Sequence, residues 1–221
     1  MELMSERIAL ALMGYVVLLF SLSVHESAHG WMALQMGDDT AARQDRITLN
    51  PLSHIDPLGT VLIPLLQFLY SGIPLLGWAK PTPVGAHNFR RQTRGHLLVA
   101  AAGPGSNLLL AVLFTGALFL GLRLLGLASA PGELSVVVEL LTIGVQINVV
   151  LALFNLIPLP PLDGSWIASW GLPRSVSATY DRLMEPYGQW ILLILFATSI
   201  LGRVLSPFTS ALASFLLALA R

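Results

Sequence analysis

Long apolar runs separated by short polar stretches form the dominant pattern of this chain. A run of about 20 apolar residues is long enough to cross a bilayer as a helix. Runs of that length cover residues 8–36, 96–127 and 135–157, and one or two further hydrophobic helices are expected at 186–205 and 207–220. The pattern predicts an all-α polytopic membrane protein, a helix bundle with about five or six hydrophobic segments.

One apolar segment, residues 57–78, does not fit a straight span because Gly59, Pro64, Gly72 and Pro74 interrupt it. Irregular backbone at membrane depth is tolerated only where it is buried in protein or lines a wet cavity. We therefore expect this segment either to enter the membrane and return, or to lie along its surface. The alternation of polar and apolar residues at 46–50 indicates a candidate short β-strand.

The charges between the apolar runs predict an orientation. Basic residues favour the cytoplasmic side of a membrane, and they cluster at 43–46, 80–94 and 174–182. The loop that carries Glu133 should lie outside. The first long helix then runs inward, the second outward and the third inward.

Composition narrows the functional classes further. Of the 221 residues, 55% are hydrophobic and 11% are charged, and the formal net charge is zero, so we expect no nucleic-acid partner. The absence of cysteine excludes disulfides, iron–sulfur clusters and a cysteine nucleophile. Any metal must be bound by His, Asp or Glu. The length favours one domain over residues 1–221.

The first long helix carries the sequence His25-Glu26-Ser27-Ala28-His29, which matches the motif H-E-x-x-H. Two histidines four apart share one face of a helix and can hold one metal ion, commonly zinc. Glu26 lies beside that face and can take a proton from a zinc-activated water during attack on a carbonyl. The alternative is a pair of histidines packed in a helix bundle, but ionisable residues within a membrane are costly and mark functional sites.

A catalytic zinc of this type needs a third protein ligand. Asp163 is the best candidate, because it follows a break of three prolines after a helix that heads to the same side as His29. The residues alone leave a second interpretation equally open, in which Asp163 is a solvated loop or helix-cap residue.

The segment around Asp163 has the form N-x-x-P-x-P-x-L-D-G, from Asn155 to Gly164. Together with His25, Glu26 and His29, it resembles the site-2 protease family of intramembrane zinc metalloproteases. The similarity extends to Gly103-Pro104 with Asn107, and to residues 49–57 and 77–81, which resemble the compact prokaryotic branch without a PDZ domain.

This resemblance implies residue roles. It implies that His25, His29 and Asp163 bind one catalytic Zn²⁺ per chain, and that Glu26 is the general base. It implies that Asn155 orients the scissile peptide or stabilises the oxyanion, although a helix–helix hydrogen bond would need the same amide. Asn107 is expected to be structural or to touch the substrate.

The resemblance also implies an activity and a location. The expected reaction is hydrolysis of peptide bonds within or near transmembrane segments of substrate proteins. The expected partners are membrane proteins with transmembrane helices, and the lipid bilayer. The chain should be integral to the prokaryotic inner or plasma membrane, with its active site nearer the cytoplasm. The catalytic core should cover about 8–171, and the C-terminal hydrophobic helices at about 186–220 carry no motif that the resemblance explains.

Three alternatives stay open at this level. His54 and Asp56 could form a gate over the metal or could be ordinary turn residues. The turn interpretation is favoured because Asp56 precedes Pro57 and Asn50 precedes Pro51, which are common turn signals. The chain could also be a metal transporter or metal-binding protein that uses His25, His29 and Asp163, since such residues mark ion paths. A catalytically idle scaffold is the third.

Overall fold

The computed structural model describes residues 2–71, 77–124 and 133–220, and gives only the backbone for residues 2–7, 68–71 and 133–135. The described residues contain no β-strand. Their α-helices are α1 (Glu2–Met36), α2 (Thr40–Arg43), α3 (Ile63–Ser71), α4 (Gln92–Leu124), α5 (Glu133–Asn155), α6 (Asp163–Gly171), α7 (Arg174–Ala197) and α8 (Ile200–Leu219). Short 3₁₀ turns at Pro51–His54 and Ala86–Asn88 and a π-helical turn at Pro57–Leu62 complete the described fold.

Four of the described helices are long and apolar enough to cross a membrane. They are Ile8–Met36 of α1, α4, Val136–Asn155 of α5, and α8. Large apolar side chains such as Leu12, Leu109 and Phe208 point outward from these helices, which suits a lipid environment and would be unfavourable in water. The prediction of an all-α polytopic membrane protein is confirmed.

Several helix boundaries differ from those predicted. Pro186 and Pro207 were expected to begin helices, but they lie inside α7 and α8. The chain instead turns at Ser199, which has a left-handed backbone with φ of 58°. Membrane helices tolerate interior prolines because neighbouring groups satisfy the freed backbone. Glu133, expected in a loop, is the first residue of α5.

The predicted strand at 46–50 is wrong. A strand requires backbone hydrogen bonds to a neighbouring strand, and here the carbonyl of Thr48 instead accepts hydrogen bonds from the hydroxyl of Ser27 and from Nε2 of His54, the latter at 2.9 Å. The segment is thus tied to α1 by side chains, and within the described residues it has no strand to pair with.

The two ends of the interrupted segment 57–78 lie side by side. The amide of Trp78 donates to the carbonyl of Gly59 at 3.3 Å, and the hydroxyl of Thr60 donates to the carbonyl of Trp78 at 3.0 Å. No spanning helix is found in the described part of this segment. These contacts agree with a segment that begins and ends on one side of the membrane. Residues 72–76 lie outside the described residues.

Helices α1, α4 and α5 pack together and form the part of the bundle that positions the site. Apolar residues of α1 and α5 make one buried cluster, which includes Leu18, Leu22, Ile147 and Leu151. The short helix α6 packs against α4. Because α6 begins at Asp163, this packing brings the residue after the proline break back to the interior of the bundle.

Candidate metal centre

His25 and His29 share one face of α1, and this face is covered by α4. The two Nε2 atoms are 3.1 Å apart, and the His25 side chain is buried. Three residues of α4 at four-residue spacing, Val99, Gly103 and Asn107, lie opposite the histidines. The histidines of α1 and these residues of α4 therefore lie on two helix faces with the same four-residue spacing, and the two faces pack against each other.

The partners of the two Nδ1 atoms assign the protons of both rings. Nδ1 of His25 donates to the amide oxygen of Asn107 at 2.6 Å, and Nδ1 of His29 donates to the carbonyl of Val99 at 2.7 Å. Since both partners are oxygens that accept, each neutral imidazole carries its proton on Nδ1 and a bare lone pair on Nε2. Hydrogen bonding of the outer nitrogen is how proteins orient metal-binding histidines.

Asp163 brings its carboxylate to the same two nitrogens. Its Oδ2 lies 3.2 Å from Nε2 of His25, and its Oδ1 lies 3.4 Å from Nε2 of His29. Oδ2 is buried and has no hydrogen-bond partner. One ligand atom from each of the three residues lies within 4.8 Å of the other two.

This donor set fits a zinc ion. Ligands about 2.0–2.1 Å from a tetrahedral zinc are about 3.3 Å from one another, close to the separations observed here. In these neutral tautomers, two lone pairs and a carboxylate face one another in a buried space. A cation is the group that satisfies all three.

Local sequence explains how Asp163 reaches the cluster. The prolines at 158, 160 and 161 remove backbone donors, so α5 ends at Asn155 and α6 begins at Asp163. A Cβ on Gly164 would collide with the carbonyl oxygens of Leu156 and Ile157. Only glycine permits α6 to begin this close to the end of α5.

Gly103 forms the wall of the cluster on α4. A Cβ built there would lie 2.6 Å from Cε1 and Nε2 of His25 and would also collide with Nε2 of His29. The glycine therefore leaves the space into which both nitrogens point. Gly103 is one of the residues that resemble the site-2 protease family, and the structure supplies a physical reason for a glycine at this position.

Glu26 contacts Thr82 in the segment before α4. Its Oε2 accepts a hydrogen bond from the amide of Thr82 at 2.7 Å, and its backbone carbonyl accepts from the hydroxyl of Thr82 at 3.0 Å. Oε1 has no hydrogen-bond partner within the described part of the chain. The residue is half-buried, with one carboxylate oxygen anchored by Thr82.

Asn155 lies apart from these contacts in the structure. It is the last residue of α5, and its amide donates to the carbonyl of Leu151 in its own helix at 2.9 Å. In the described residues it has no hydrogen bond to the cluster or to another helix.

His54 and Asp56 also lie outside the cluster. Oδ1 of Asp56 accepts from the amides of Leu58 and Gly59 and caps the π-helical turn, as expected of a turn residue. His54 is buried and donates to the carbonyl of Thr48.

Sequence reasoning missed three contributors to the site. Asn148 donates to the hydroxyl of Ser21 at 2.9 Å and accepts from Asn107 at 2.9 Å. An asparagine in the middle of an apolar span is the signal that could have found it. The carbonyl of Val99 and the amide of Thr82 act through backbone atoms, which no residue motif encodes.

Comparisons with known proteins agree with this geometry. The family model described as peptidase family M50 matches residues 124–197, which include the proline break and Asp163. YwhC of Bacillus subtilis, named as a candidate zinc metalloprotease, is 41% identical over 210 residues, which are 91% of this chain and 89% of YwhC. Rip2 of Mycolicibacterium smegmatis, named in the same way, is 30% identical over 191 residues, 84% of this chain and 66% of Rip2. No solved structure is significantly similar to the chain.

The fold and the site define a polytopic membrane metalloprotease. Since YwhC is 41% identical over nearly the full length of both chains, the chain belongs to peptidase family M50, the site-2 protease family, and it is a zinc metalloprotease.

Proposed function

We propose that this protease hydrolyses peptide bonds within or near transmembrane segments of other proteins, with His25, His29 and Asp163 as zinc ligands and Glu26 as general base. The observation that carries the proposal is the convergence of three ligand atoms within 4.8 Å, two of them on α1, a helix long enough to span a membrane, and the third at the start of α6. A protein site at membrane depth is reached most directly by a substrate that is itself in the membrane.

The depth of the site supports an active centre nearer the cytoplasm. His29 precedes the end of α1 at Met36 by seven residues, which corresponds to roughly 10 Å of helix. The basic residues after α1 and before α4 favour the cytoplasm at that end. The location we propose is the prokaryotic inner or plasma membrane.

The residues around the cluster divide the chemistry among them. A bound zinc supplies Lewis acidity, which polarises a carbonyl and lowers the pKa of water. Glu26 is held at Oε2 by Thr82 and offers Oε1 to take the proton of the attacking water. Asn107 and Val99 hold the imidazoles so that both Nε2 atoms face the metal position.

Asn155 is proposed to orient the scissile peptide or to stabilise the oxyanion. It lies at the break before Asp163, and its amide would have to leave the carbonyl of Leu151 to reach a substrate.

A Glu26→Gln variant tests the proposal. Gln keeps the size and hydrogen-bonding ability of Glu but is not basic, so the purified variant should retain zinc and substrate binding while cleavage falls about a hundredfold to ten-thousandfold. The probe is a synthetic transmembrane peptide of about 20 apolar residues with a central Asn-Gly pair, labelled with a fluorophore and a quencher. Mass spectrometry then locates the cut.

Two results would contradict it. Near-normal cleavage by Glu26→Gln would remove the proposed general base and with it the mechanism. Cleavage confined to soluble peptides, with no product from the transmembrane peptide or from co-expressed membrane proteins, would remove the intramembrane substrate. Zinc uptake into proteoliposomes by the Glu26→Gln variant would favour the metal-transporter alternative.

A further inference from the structure

A short segment before α4, residues 80–82, lies directly on the side of α1 that carries Glu26. We call this segment the strap. Thr82 contributes two hydrogen bonds to Glu26, from its amide to Oε2 at 2.7 Å and from its hydroxyl to the backbone carbonyl at 3.0 Å. A Cβ on Gly30, one turn further along α1, would lie 3.2 Å from the methyl group of Thr82. Thr82 thus lies against α1 at two positions one turn apart.

Arg46 holds the strap from the other side. Its Nη2 donates to the carbonyl of Lys80 at 2.7 Å and lies 3.3 Å from the carbonyl of Pro81. The residue is only 7% exposed, and no carboxylate of the described residues is within ion-pair distance of it. Burying a cation is costly unless hydrogen bonds compensate. Here the strap carbonyls accept from Nη2, while Nε of Arg46 is buried without a hydrogen-bond partner in the described residues.

One peptide group connects Arg46 to Glu26. The carbonyl of Pro81 and the amide of Thr82 belong to the same planar unit; its oxygen accepts from Arg46 and its N–H donates to Glu26. The guanidinium polarises this peptide, and polarisation strengthens the hydrogen bond on its other side.

The prolines on both sides of Thr82 stiffen the connection. Pro81 and Pro83 fix their own φ angles, and a residue before proline is restricted to extended conformations. Thr82 is therefore the only residue from 81 to 83 that has an amide to donate. The sequence Pro-Thr-Pro thus leaves one backbone amide donor, and this amide donates to Oε2 of Glu26.

We propose that Arg46 and Thr82 are positioning residues for the general base, acting on Glu26 through the Pro81–Thr82 peptide. Anchoring Oε2 fixes the direction of Oε1, the oxygen that takes the proton. The inference rests on the proposed role of Glu26. It assigns a function to a buried cation that the metal cluster does not explain.

Hydrogen exchange tests the connection independently of activity. In the zinc-loaded protein, the amide of Thr82 should exchange slowly. Because the neighbouring prolines have no amide hydrogen, fragmentation mass spectrometry isolates this one site. Glu26→Ala removes its acceptor and Arg46→Met removes the anchor of its peptide, so exchange at Thr82 should be at least tenfold faster in both. Unchanged exchange at Thr82 in Arg46→Met would overturn the proposal.

Kinetics on the fluorogenic transmembrane peptide give the second test. A misplaced catalytic group costs up to about a hundredfold, so Arg46→Met should lower kcat by about tenfold to a hundredfold while KM and zinc content stay within twofold. Arg46→Lys should recover part of kcat because an ammonium can still donate to one strap carbonyl. Arg43→Met is the matched control, since the Arg43 side chain is 77% exposed and forms an ion pair with Asp39, four residues earlier in the chain.

Two variants of Thr82 separate its two hydrogen bonds. Thr82→Pro removes the amide donor and should lower kcat as Arg46→Met does, whereas Thr82→Val removes only the hydroxyl and should cost less. A purely structural strap would instead lower zinc content and thermal stability in step with kcat, and that result would overturn the proposal.

The outcome for Glu26→Gln separates the two proposals. If Glu26→Gln cleaves normally, the proposed general base is wrong. If Glu26→Gln is inactive but Arg46→Met and Thr82→Pro keep a normal kcat, only the positioning role is wrong.

Discussion

Nδ1 of His25 donates a hydrogen bond to the amide oxygen of Asn107 at 2.6 Å, although the two residues are 82 positions apart in the sequence. Asn107 in turn donates to Asn148 at 2.9 Å, and Asn148 donates to the hydroxyl of Ser21 at 2.9 Å. This buried network ties α1, α4 and α5 together behind the metal cluster. The network fixes the orientation of the His25 ring, whose Nε2 faces the candidate metal position.

Removing the partner of His25 should therefore weaken zinc binding. Loss of such an outer hydrogen bond typically costs about tenfold to a hundredfold in metal affinity, so we expect a loss of that size in Asn107→Leu. Asn148→Leu keeps the bond to His25 and should lose less. Chelator competition on purified protein measures both. Equal losses in the two variants would show that general packing, rather than the orientation of His25, sets the affinity.

Gly103→Ala should remove zinc while leaving the helix intact. Its new Cβ would lie 2.6 Å from two ring atoms of His25, so both imidazoles would have to move. Alanine is more favourable than glycine in a helix interior by about 1 kcal/mol. A weaker α4 therefore cannot explain a loss of zinc. Gly105→Ala is the control, because nothing lies within 4 Å of a Cβ at that position. Equal zinc content in the two variants would contradict the close approach of α4.

Asp163→Asn tests the third ligand. An amide is a poor zinc ligand beside a carboxylate, so elemental analysis should find much less than one zinc per chain, and cleavage should fall in parallel. Glu185→Gln removes one negative charge from an exposed position on α7 and should retain zinc. Undiminished zinc in Asp163→Asn and Asp163→Ala would exclude Asp163 from the ligand set.

The predicted orientation can be checked with single cysteines, since the native chain has none. His87 is exposed in the turn before α4, and Leu124 is exposed at the end of α4. An impermeant maleimide applied to intact cells should label Leu124→Cys and spare His87→Cys until the membrane is opened. The reverse pattern would place the metal cluster nearer the outside.

The sequence by itself determined that this is a polytopic membrane protein and that His25 and His29 share one face of a helix. Apolar runs of sufficient length predicted the three long spans to within a few residues, because span length depends only on bilayer thickness. The spacing of His25 and His29 placed both rings on one face because helix geometry is local. The prolines at 158, 160 and 161 predicted the break before Asp163, because the backbone donor that a proline lacks is also a local property.

Tertiary structure decided what these residues meet. Asp163 was equally compatible with a solvated loop until the packing of α6 on α4 brought it to 3.2 Å from His25. The candidate strand at 46–50 failed because the carbonyl of Thr48 found side-chain partners instead of a strand. Thr82 reaches Glu26 from 56 residues away through a backbone amide. Such contacts depend on the mutual placement of helices and on main-chain atoms that every residue possesses, so local patterns carry no record of them.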